Sequence, residues 1–423
     1  MLTAEENELI TRVGPGTPMG NLLRRYWHPV AASEQMTGRW TKRVRILGED
    51  LVLFRDRTGR LGLIGEFCPH RRASLAYGIP TDDGIRCPYH GWKFDAAGRC
   101  LEQPNEPEGS AFKDKIATAG YPVEEFAGLI WGYLGPQPAP LIPRLDGFVV
   151  DRAIRTVAIT RVQCNWAQIM ENSVDPVHTE WLHGKLYEFI REKDNVKVAI
   201  ARHHVKIAFD EFEYGIVKRR LMEGQSEDCA DWTVGHPIVF PTTLAFGSGE
   251  STWKNYAFQI RVPIDDTTTE HYWYSAFSFP ESTPVPAHLL SGCPVYDAPQ
   301  RGDDGEYCLE YVYAQDVMAW ETQGPIAKRH LEKLGSTDRG VTMFRKMLMR
   351  ELQKIADGVD PMGVIRDPAR NACIDLPMEI GKDMNEDGFE ALVRRNMVGL
   401  SPIGEEVIAV YKQGQRMLAH AKA

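Results

Sequence analysis

The sequence predicts an α+β protein in two parts: an all-β N-terminal domain of residues 1–138, and an α+β domain of residues 139–423 with a large antiparallel sheet. Short apolar segments broken by Gly and Asp fill residues 44–67, a pattern typical of strands joined by hairpins. Longer alternating segments return beyond residue 196 and indicate one large sheet. A Pro-rich stretch between the two sets suits a linker, so we place the domain boundary near residue 138.

Helical patterns flank these strands. Residues 4–12 predict a short helix that ends at the breaker-rich GPGTPMG, and residues 164–184 also look helical. A later helix is indicated by apolar residues at helical spacing: Val341, Phe344, Leu348, Leu352 and Ile355. It should stop at Gly358, with Pro361 beyond, and we expect it to pack on the sheet.

Composition excludes several classes of function. Lys and Arg number 49 against 58 Asp and Glu, and a net charge of -9 leaves no basic footprint for nucleic acid as a main partner. No run approaches the roughly 18 apolar residues of a membrane span. The N-terminus has acidic residues where a signal peptide would have a basic start. We therefore expect a soluble, cytoplasmic protein without a membrane partner.

The stretch CPHRRASLAYGIPTDDGIRCPYHGW, at residues 68–92, pairs Cys68 with His70 and Cys87 with His90. With eight Cys scattered over a long chain, two Cys beside His favour a metal site over a disulfide framework. Structural zinc is one interpretation, but Cys-x-His is tighter than the usual zinc-finger spacing. Two thiolates and two imidazoles on two loops are what a Rieske [2Fe-2S] cluster needs. Cys100 lies outside the pattern and is predicted to be core.

The motifs CPH and CPYHGW together resemble those of Rieske proteins. High-potential Rieske proteins carry a further disulfide-forming Cys after each ligand pair, whereas this chain has Ala73 and Tyr89 near those positions. The resemblance therefore implies a low-potential cluster, which passes electrons to a second centre that activates O₂.

A second constellation, ENSVDPVHTEWLH, places His178 and His183 five residues apart, close to Asp175. Mononuclear Fe(II) centres for O₂ chemistry use two His and one carboxylate on one face. An alternative needs no iron, because Asp175 followed by Pro176 is also a good helix N-cap and first-turn pair. On an ideal helix the two His would lie about 140° apart, so joint ligation requires a helix end or a distortion.

A Rieske motif followed by D-x-x-H-x-x-x-x-H resembles the Rieske non-haem iron oxygenases, whose catalytic domain has a helix-grip fold. The resemblance implies that His178 and His183 bind iron. It also implies that Asp175 links an iron-bound His to a cluster His, here His90, of a neighbouring subunit. The expected assembly is a homotrimer or a multiple of it, because the electron path within one subunit is too long.

The third iron ligand should lie far along the chain, on a helix against the sheet. Residues 312–324 resemble the family's carboxylate segment, and Asp316 is the predicted ligand. Glu321 and Asp360 are competitors, although Asp360 is more simply a turn residue before a proline. Asn172 and Trp166 are expected to line or support the iron pocket, with ordinary helix packing as the alternative.

The chain further resembles the phthalate-type group of these oxygenases over nearly its whole length. Members oxidise aromatic carboxylic acids with O₂ by cis-dihydroxylation, hydroxylation or oxidative O-demethylation. This chain lacks a nucleotide fingerprint, so we expect no bound flavin or NAD, and electrons from a separate NAD(P)H-dependent reductase, with or without a ferredoxin. We favour O-demethylation of a methoxylated aromatic acid of the kind derived from lignin. The alternative is dihydroxylation of a phthalate-, phenoxybenzoate- or halobenzoate-like acid.

An aromatic acid calls for an Arg inside an otherwise apolar pocket. Arg219 alternates with Val217 and Leu221, so we expect it on the inner face of the sheet, while Lys218 and Arg220 would be solvated. Phthalate-specific relatives have small hydroxyl residues where Pro176 and Val177 stand here, which argues against phthalate itself. Two other classes of protein stay open at this stage: a Rieske electron carrier without the second iron, and a structural zinc protein.

Overall fold

The computed structural model describes residues 2–250, 253–379, 389, 390, 393 and 397–422. The strands of the N-terminal part are β1 (Trp27–Ala32), β2 (Thr41–Ile46), β3 (Glu49–Arg55), β4 (Leu61–Gly65), β5 (Ile79–Thr81), β6 (Gly84–Arg86), β7 (Lys93–Phe94), β8 (Cys100–Glu102), β9 (Gly120–Tyr121), β10 (Val123–Phe126) and β11 (Leu129–Tyr133). The strands that follow are β12 (Ile154–Val162), β13 (His204–Phe212), β14 (Gly215–Met222), β15 (His236–Val239), β16 (Thr243–Glu250), β17 (Trp253–Pro263), β18 (Thr269–Ser278) and β19 (Val295–Tyr296).

The described α-helices are α1 (Ala4–Thr11), α2 (Pro18–Leu23), α3 (Asp146–Val149), α4 (Trp166–Ser173), α5 (Leu186–Ile190), α6 (Ala230–Thr233), α7 (Ala287–Ser291), α8 (Val312–Glu321), α9 (Arg339–Ala356) and α10 (Gly404–Lys422). A π-helix, Thr179–Lys185, leads directly into α5. Of these described helices, none combines the length and the apolar character that a membrane span requires.

The N-terminal part consists of three small sheets, with strand orders β1-β11-β10, β2-β3-β4-β9 and β5-β6-β7-β8. The predicted hairpins of residues 44–67 form as β2, β3 and β4, which pair in antiparallel register. The two Cys/His motifs lie in the loops after β4 and β6. A separate apolar cluster lies beneath both loops and contains Val52, Phe54, Ile64, Cys68, Leu75, Ile85, Cys87, Trp92, Phe94 and Cys100.

The C-terminal part is built on one eight-stranded sheet with the order β13-β14-β15-β16-β17-β18-β12-β19. Every pairing in it is antiparallel except the short one between β12 and β19. The longest pairing runs from Lys254 opposite Ser278 to Pro263 opposite Thr269. The predicted α+β class and the large antiparallel sheet are confirmed.

Helix α9 confirms the apolar pattern read from the sequence, because Val341, Phe344 and Leu348 are buried. The helix ends at Ala356, and Gly358 follows with a φ of 73°. Its N-terminal turn lies against β13, where a Cβ added to Gly340 would come within 2.4 Å of Phe209 Cε1. Only glycine permits this close approach, so the helix covers one face of the sheet, which we call the inner face.

The N-terminal helices pack on the C-terminal part of the chain. The side chain of Asn7, on α1, donates a hydrogen bond from Nδ2 to the carbonyl of Ala327 (3.0 Å) and accepts one at Oδ1 from Arg329 Nη1 (2.9 Å). One apolar core continues through both parts and includes Ile10, Trp131 and Phe344. The boundary near residue 138 stays a prediction, because these contacts join the two parts over a wide area.

Candidate active site

The two Cys/His loops share one backbone conformation. The N–H of Cys68 donates to the carbonyl of Ala73, and the N–H of Arg72 donates to the carbonyl of Cys68, both at 2.9 Å. In the second loop the N–H of Cys87 donates to Trp92 at 2.8 Å, and that of Gly91 donates to Cys87 at 3.0 Å. The fourth residue after each Cys has a left-handed backbone, with a φ of 61° at Arg72 and 77° at Gly91. The two loops therefore share the same backbone hydrogen bonds and the same left-handed position.

The four side chains of these loops converge. Cys68 and Cys87 are buried, and the rings of His70 and His90 face each other with their centroids 4.5 Å apart. The Nδ1 atom of His90 is buried and has no hydrogen-bond partner among the described residues. Trp92 stacks on His70 at 4.6 Å. Two inward thiols and two imidazoles nearer the surface are the donor set that a [2Fe-2S] cluster of Rieske type requires, so the residues fit that group.

The segment from Asp175 to Lys185 departs from ideal α-helical geometry, which would hold His178 and His183 about 140° apart. Asp175 Oδ1 accepts the N–H of Val177 at 2.8 Å, so it starts a new helical segment as an N-cap should. The chain then forms the π-helix, whose hydrogen bonds join residues five apart. His178 and His183 are five residues apart, and this wider turn brings both rings to one side, with centroids 5.2 Å apart. The required distortion is present.

Helix α8 supplies the carboxylate. Asp316 Oδ1 lies 3.1 Å from His183 Nε2 and 3.9 Å from His178 Nε2. One donor atom from each of the three residues lies within 4.8 Å of the others, a grouping that suits a metal ion. Asp316 Oδ1 is buried and lacks a hydrogen bond of good geometry within the described chain. Two imidazoles and one carboxylate on one side fit mononuclear Fe(II).

The other nitrogen of each imidazole is oriented by a neighbour. His183 Nδ1 lies 2.9 Å from Gln315 Oε1, and Gln315 in turn donates from Nε2 to the carbonyl of Leu309 at 2.7 Å. His178 Nδ1 lies 3.5 Å from Asp175 Oδ2. Because each Nδ1 faces an oxygen acceptor, the Nε2 atoms are left to face Asp316. The role of Gln315 is not evident from the sequence, where only its position before Asp316 distinguishes it.

The electrostatics of the site keep its carboxylate ionised. Burial alone would raise the pKa of Asp316, but His183 and His178 outweigh burial, and the pKa of Asp316 lies below its ordinary value. Burial lowers the pKa of His178, which Asp175 opposes. The pKa of His183 is raised instead, because Asp316 outweighs the effect of burial. Metal binding needs neutral imidazoles and an ionised carboxylate.

The competing carboxylates lie elsewhere. Glu321 accepts the N–H of Gln163 at 2.8 Å and pairs with Arg301 at 2.9 Å. Asp360 pairs with Arg366 at 2.6 Å in the turn after α9. Neither belongs to the group formed by His178, His183 and Asp316.

The two residues expected near the iron pocket differ in position. Trp166 is fully buried in the main core with its ring centroid 6.5 Å from that of Phe344, so helix packing accounts for it. Asn172 lies at the end of α4, where its carbonyl accepts the N–H of Asp175 at 3.1 Å. Asn172 thus supports the turn that presents Asp175, and its contact with substrate stays a prediction.

The predicted orientation of Arg219 is wrong. Its cross-strand neighbour is Ala208, and its side chain pairs with Asp210. Lys218 instead lies opposite Phe209, which packs under α9, so the even-numbered side chains of β14 face inward. Nearly every residue of β14 is buried, so its sequence shows no alternation from which the inward face could be chosen.

The inner face of the sheet therefore carries cations that the sequence did not single out. Arg220 Nη1 donates to Thr179 Oγ1 at 3.1 Å and lies 3.3 Å from Asp231. Arg261, on β17, is 1% exposed and donates to the carbonyl and the side-chain oxygen of Gln259. Within the described residues no carboxylate forms an ion pair with Arg261. Burial lowers the pKa of Arg261 to about 9, and Asp316 opposes this effect.

Comparison with known proteins agrees with this geometry. Residues 26–122 match the Rieske [2Fe-2S] domain family, and residues 162–290 match the vanillate O-demethylase oxygenase C-terminal domain family. Residues 300–375, which include Asp316, match the LigXa C-terminal domain like family. The matched segments cover the two Cys/His loops and all three residues of the triad.

Two curated relatives align over most of their length. The 5,5'-dehydrodivanillate O-demethylase oxygenase subunit of Sphingobium sp. (strain NBRC 103272 / SYK-6) is 40% identical over 92% of this chain and 90% of its own length. The phthalate 4,5-dioxygenase oxygenase subunit of Pseudomonas putida is 31% identical over 92% of this chain and 95% of its own.

Solved structures share the fold. Pseudomonas putida CBB5 NdmA superposes with a TM-score of 0.59 at 21% identity, covering 80% of this chain and 93% of that one. Dicamba monooxygenase bound to dicamba gives 0.55 at 17% identity, over 80% and 99%. These likenesses support the architecture. The matched domains and the two relatives show that the chain belongs to the Rieske non-haem iron oxygenases as an oxygenase subunit, a family whose cofactors are a [2Fe-2S] cluster and a mononuclear iron.

Proposed function

We propose that this oxygenase subunit oxidises an aromatic carboxylic acid, and that the reaction is O-demethylation of a methoxylated acid of the lignin-derived kind. The observation that carries the proposal is the buried guanidinium of Arg261 on the same face of the sheet as the triad. Its charge acts on the pKa of Asp316, so the two groups are close. A buried cation without an ion pair is a natural binding group for a carboxylate.

We assign the metal ligands from the geometry described above. Cys68, His70, Cys87 and His90 would hold the [2Fe-2S] cluster. His178, His183 and Asp316 would hold the iron, with Gln315 and Asp175 fixing the two rings. When bound, the iron supplies O₂ activation and the cluster supplies electrons.

The protein's own residues orient the substrate and exclude water. Arg261 would bind the carboxylate, and the apolar side chains of Phe246 and Trp273, on the neighbouring strands β16 and β18, would hold the ring. Hydroxylation of the methoxy carbon, with O₂, two electrons and two protons, gives a hemiacetal and water. The hemiacetal then breaks its C–O bond to release a phenol and formaldehyde, so the atoms balance.

Asp175 is proposed to connect neighbouring subunits. It is part-exposed, at 26% of its side chain, and it lies 3.5 Å from His178. On the cluster loop, Tyr89 beside His90 is 54% exposed. A head-to-tail homotrimer that docks the cluster loops of one subunit on the Asp175 turn of the next would join the two metal sites through hydrogen bonds. A separate NAD(P)H-dependent reductase, with or without a ferredoxin, would supply the electrons in the cytoplasm.

The relative at 40% identity favours O-demethylation, because that protein is a 5,5'-dehydrodivanillate O-demethylase oxygenase subunit. Ring cis-dihydroxylation is the second candidate, since the relatives at 31% and 32% identity are phthalate and phenoxybenzoate dioxygenases. Both reactions would use the same triad and the same Arg261. They differ in which carbon of the substrate faces the iron.

The deciding experiment measures iron, acid-labile sulfide and the absorption spectrum of wild type and His178→Ala. Three irons and two sulfides per subunit are expected in wild type. The variant should retain two irons and an unchanged Rieske spectrum. Two irons in both proteins would refute the mononuclear site and leave an electron carrier.

Substrate class is tested next with the holoenzyme, a reductase and NADH. Methoxylated aromatic acids should yield formaldehyde in a one-to-one ratio with the new phenol. Arg261→Gln should raise KM for these acids at least tenfold, whereas Arg219→Gln, on the opposite face, should not change it. Formation of a cis-diol without formaldehyde would favour the dihydroxylase instead.

A further inference from the structure

A second buried cation lies on the inner face of the sheet. Lys218, on β14, is 6% exposed and lies opposite Phe209 on one side and His236 on the other. Its charge acts on the pKa of both Asp175 and His183, so it faces the segment that bears the two histidines of the triad. The reaction proposed above gives Lys218 no role.

The carboxylates around Lys218 have closer partners. Asp231 lies 3.3 Å from Arg220 and accepts a hydrogen bond from Gln225 at 3.0 Å. Glu379 is in contact with His236, and Asp175 accepts the N–H of Val177. Across the described chain, Lys218 forms no ion pair with a carboxylate.

Leaving an ammonium buried and unpaired is costly. Burial lowers the pKa of Lys218 to about 8, and Arg220 and Arg261 add to that effect, while Asp175 and Glu379 oppose it. An anion from outside the protein would restore the charged form. Lys218 therefore has the burial and the charge of a binding group, as Arg261 does.

The two cations stand on separate strands of the same face, and the charge of Arg261 lowers the pKa of Lys218. β15 and β16 lie between the strands that carry Lys218 and Arg261. At about 4.8 Å between neighbouring strands, the two backbones are about 14 Å apart. One carboxylate carries a single negative charge, so a substrate that neutralises both cations must carry two anionic groups.

We propose that Lys218 forms a second recognition site, which takes an anionic oxygen substituent of the substrate other than the carboxylate held by Arg261. The substituent is a second carboxylate or an ionised phenol, which share the same chemistry toward an ammonium. The inference rests on the proposed function, because it assumes that an aromatic acid binds over the triad.

The test measures the binding of three probes to the anaerobic holoenzyme by equilibrium dialysis. The first probe is 3,4-dimethoxybenzoate, with one anion. The second is 4-hydroxy-3-methoxybenzoate, which adds a phenol. The third is a 5,5'-linked biaryl dicarboxylate with both phenols methylated, which adds a carboxylate. Lys218→Met should weaken binding of the second or the third probe about tenfold or more and leave the first unchanged.

Three controls separate the possible explanations. Arg219→Met removes a cation from the outward face of the same strand and should change no probe. Lys218→Arg keeps the charge and should retain most of the affinity lost in Lys218→Met. The Rieske spectrum and iron content of each variant report folding, and Lys218→Gln replaces Lys218→Met if the latter loses iron.

Each outcome decides one point. A loss confined to the second probe identifies the phenol, and a loss confined to the third identifies the carboxylate. Equal losses on all three probes, or none, would overturn the second site and indicate that Lys218 only balances Asp175. Failure of wild type to bind any of the three would refute the proposed function itself.

Discussion

The cluster loops and the triad each bring histidines into a candidate metal site, yet the chain assembles the two sites differently. The cluster loops close within 25 residues, and their shape comes from local backbone hydrogen bonds. The triad depends on His183 and Gln315, which lie 132 positions apart in sequence. A site closed by local turns is set by nearby residues, whereas a site closed between distant segments depends on the packing of the π-helix and α8.

The largest expected effect tests the long-range contact. Asp316→Asn should lose the mononuclear iron and all oxygenase activity, while the Rieske spectrum persists, because the cluster loops do not depend on α8. Iron analysis should give two irons per subunit. The matched variant Glu321→Gln, on the same helix, should keep three. Loss of iron in Glu321→Gln alone would move the ligand assignment to that residue.

The residue that orients His183 should have the next largest effect. Gln315→Leu removes the acceptor at Nδ1 and should weaken binding of the mononuclear iron about 10- to 100-fold, with the cluster unaffected. Gln315→Glu retains an acceptor and should stay near wild type. Iron retention during dialysis against a chelator measures the difference. Identical retention in both variants would show that Gln315 does not position the ring.

A pH effect should appear at a histidine that serves neither metal site. His28 is 1% exposed, and its Nε2–H donates to the carbonyl of Leu23 at 2.9 Å. Burial lowers the pKa of His28 to about 4, whereas an unfolded His has a pKa of about 6.5. The unfolded chain binds more protons between these values, so stability should fall as the pH drops from about 6.5 to about 4, by up to about 3 kcal/mol.

Urea unfolding at several pH values checks this effect. His28→Gln can still donate a hydrogen bond to Leu23 but does not titrate, so its stability should vary less over that window. Parallel pH profiles for wild type and His28→Gln would show that His28 is not the source of the acid sensitivity.

The smallest effect compares the two cluster loops. Gly91→Ala places a Cβ at a left-handed position, 2.8 Å from Pro104 Cγ, and should cost about 1–2 kcal/mol of unfolding free energy. Arg72→Gly relieves the same backbone strain in the other loop but loses the guanidinium over the ring of Phe67. Its net effect should stay within about 1 kcal/mol. Thermal unfolding of both variants provides the measurement.

Equal destabilisation by the two loop variants would contradict the view that both loops share one backbone plan. A gain in stability in Arg72→Gly would strengthen it. Loss of the Rieske spectrum in Gly91→Ala at low temperature would show that the loop conformation also governs cluster binding.

The sequence by itself determined the features that depend on local order. The Cys68 and Cys87 motifs, the N-cap at Asp175 and the apolar face of α9 are each contained in one short segment, where spacing and turn chemistry decide the structure. The five-residue separation of His178 and His183 even required the distortion that the π-helix supplies. The large antiparallel sheet followed from alternation in its longest strands.

Only the tertiary structure decided which face of each strand turns inward and which distant residues meet. Strand β14 is buried on both faces, so its apolar residues do not alternate in a way that identifies the inward face. The prediction therefore placed Arg219 inward, whereas Lys218 and Arg220 are the residues that face the triad. Arg261 lies between Ile260 and Val262, and no local pattern marks it as a site residue. Gln315 meets His183 only because α8 packs against the π-helix. Side-chain direction in a buried strand and contact across 132 residues are set by packing, which no local pattern encodes.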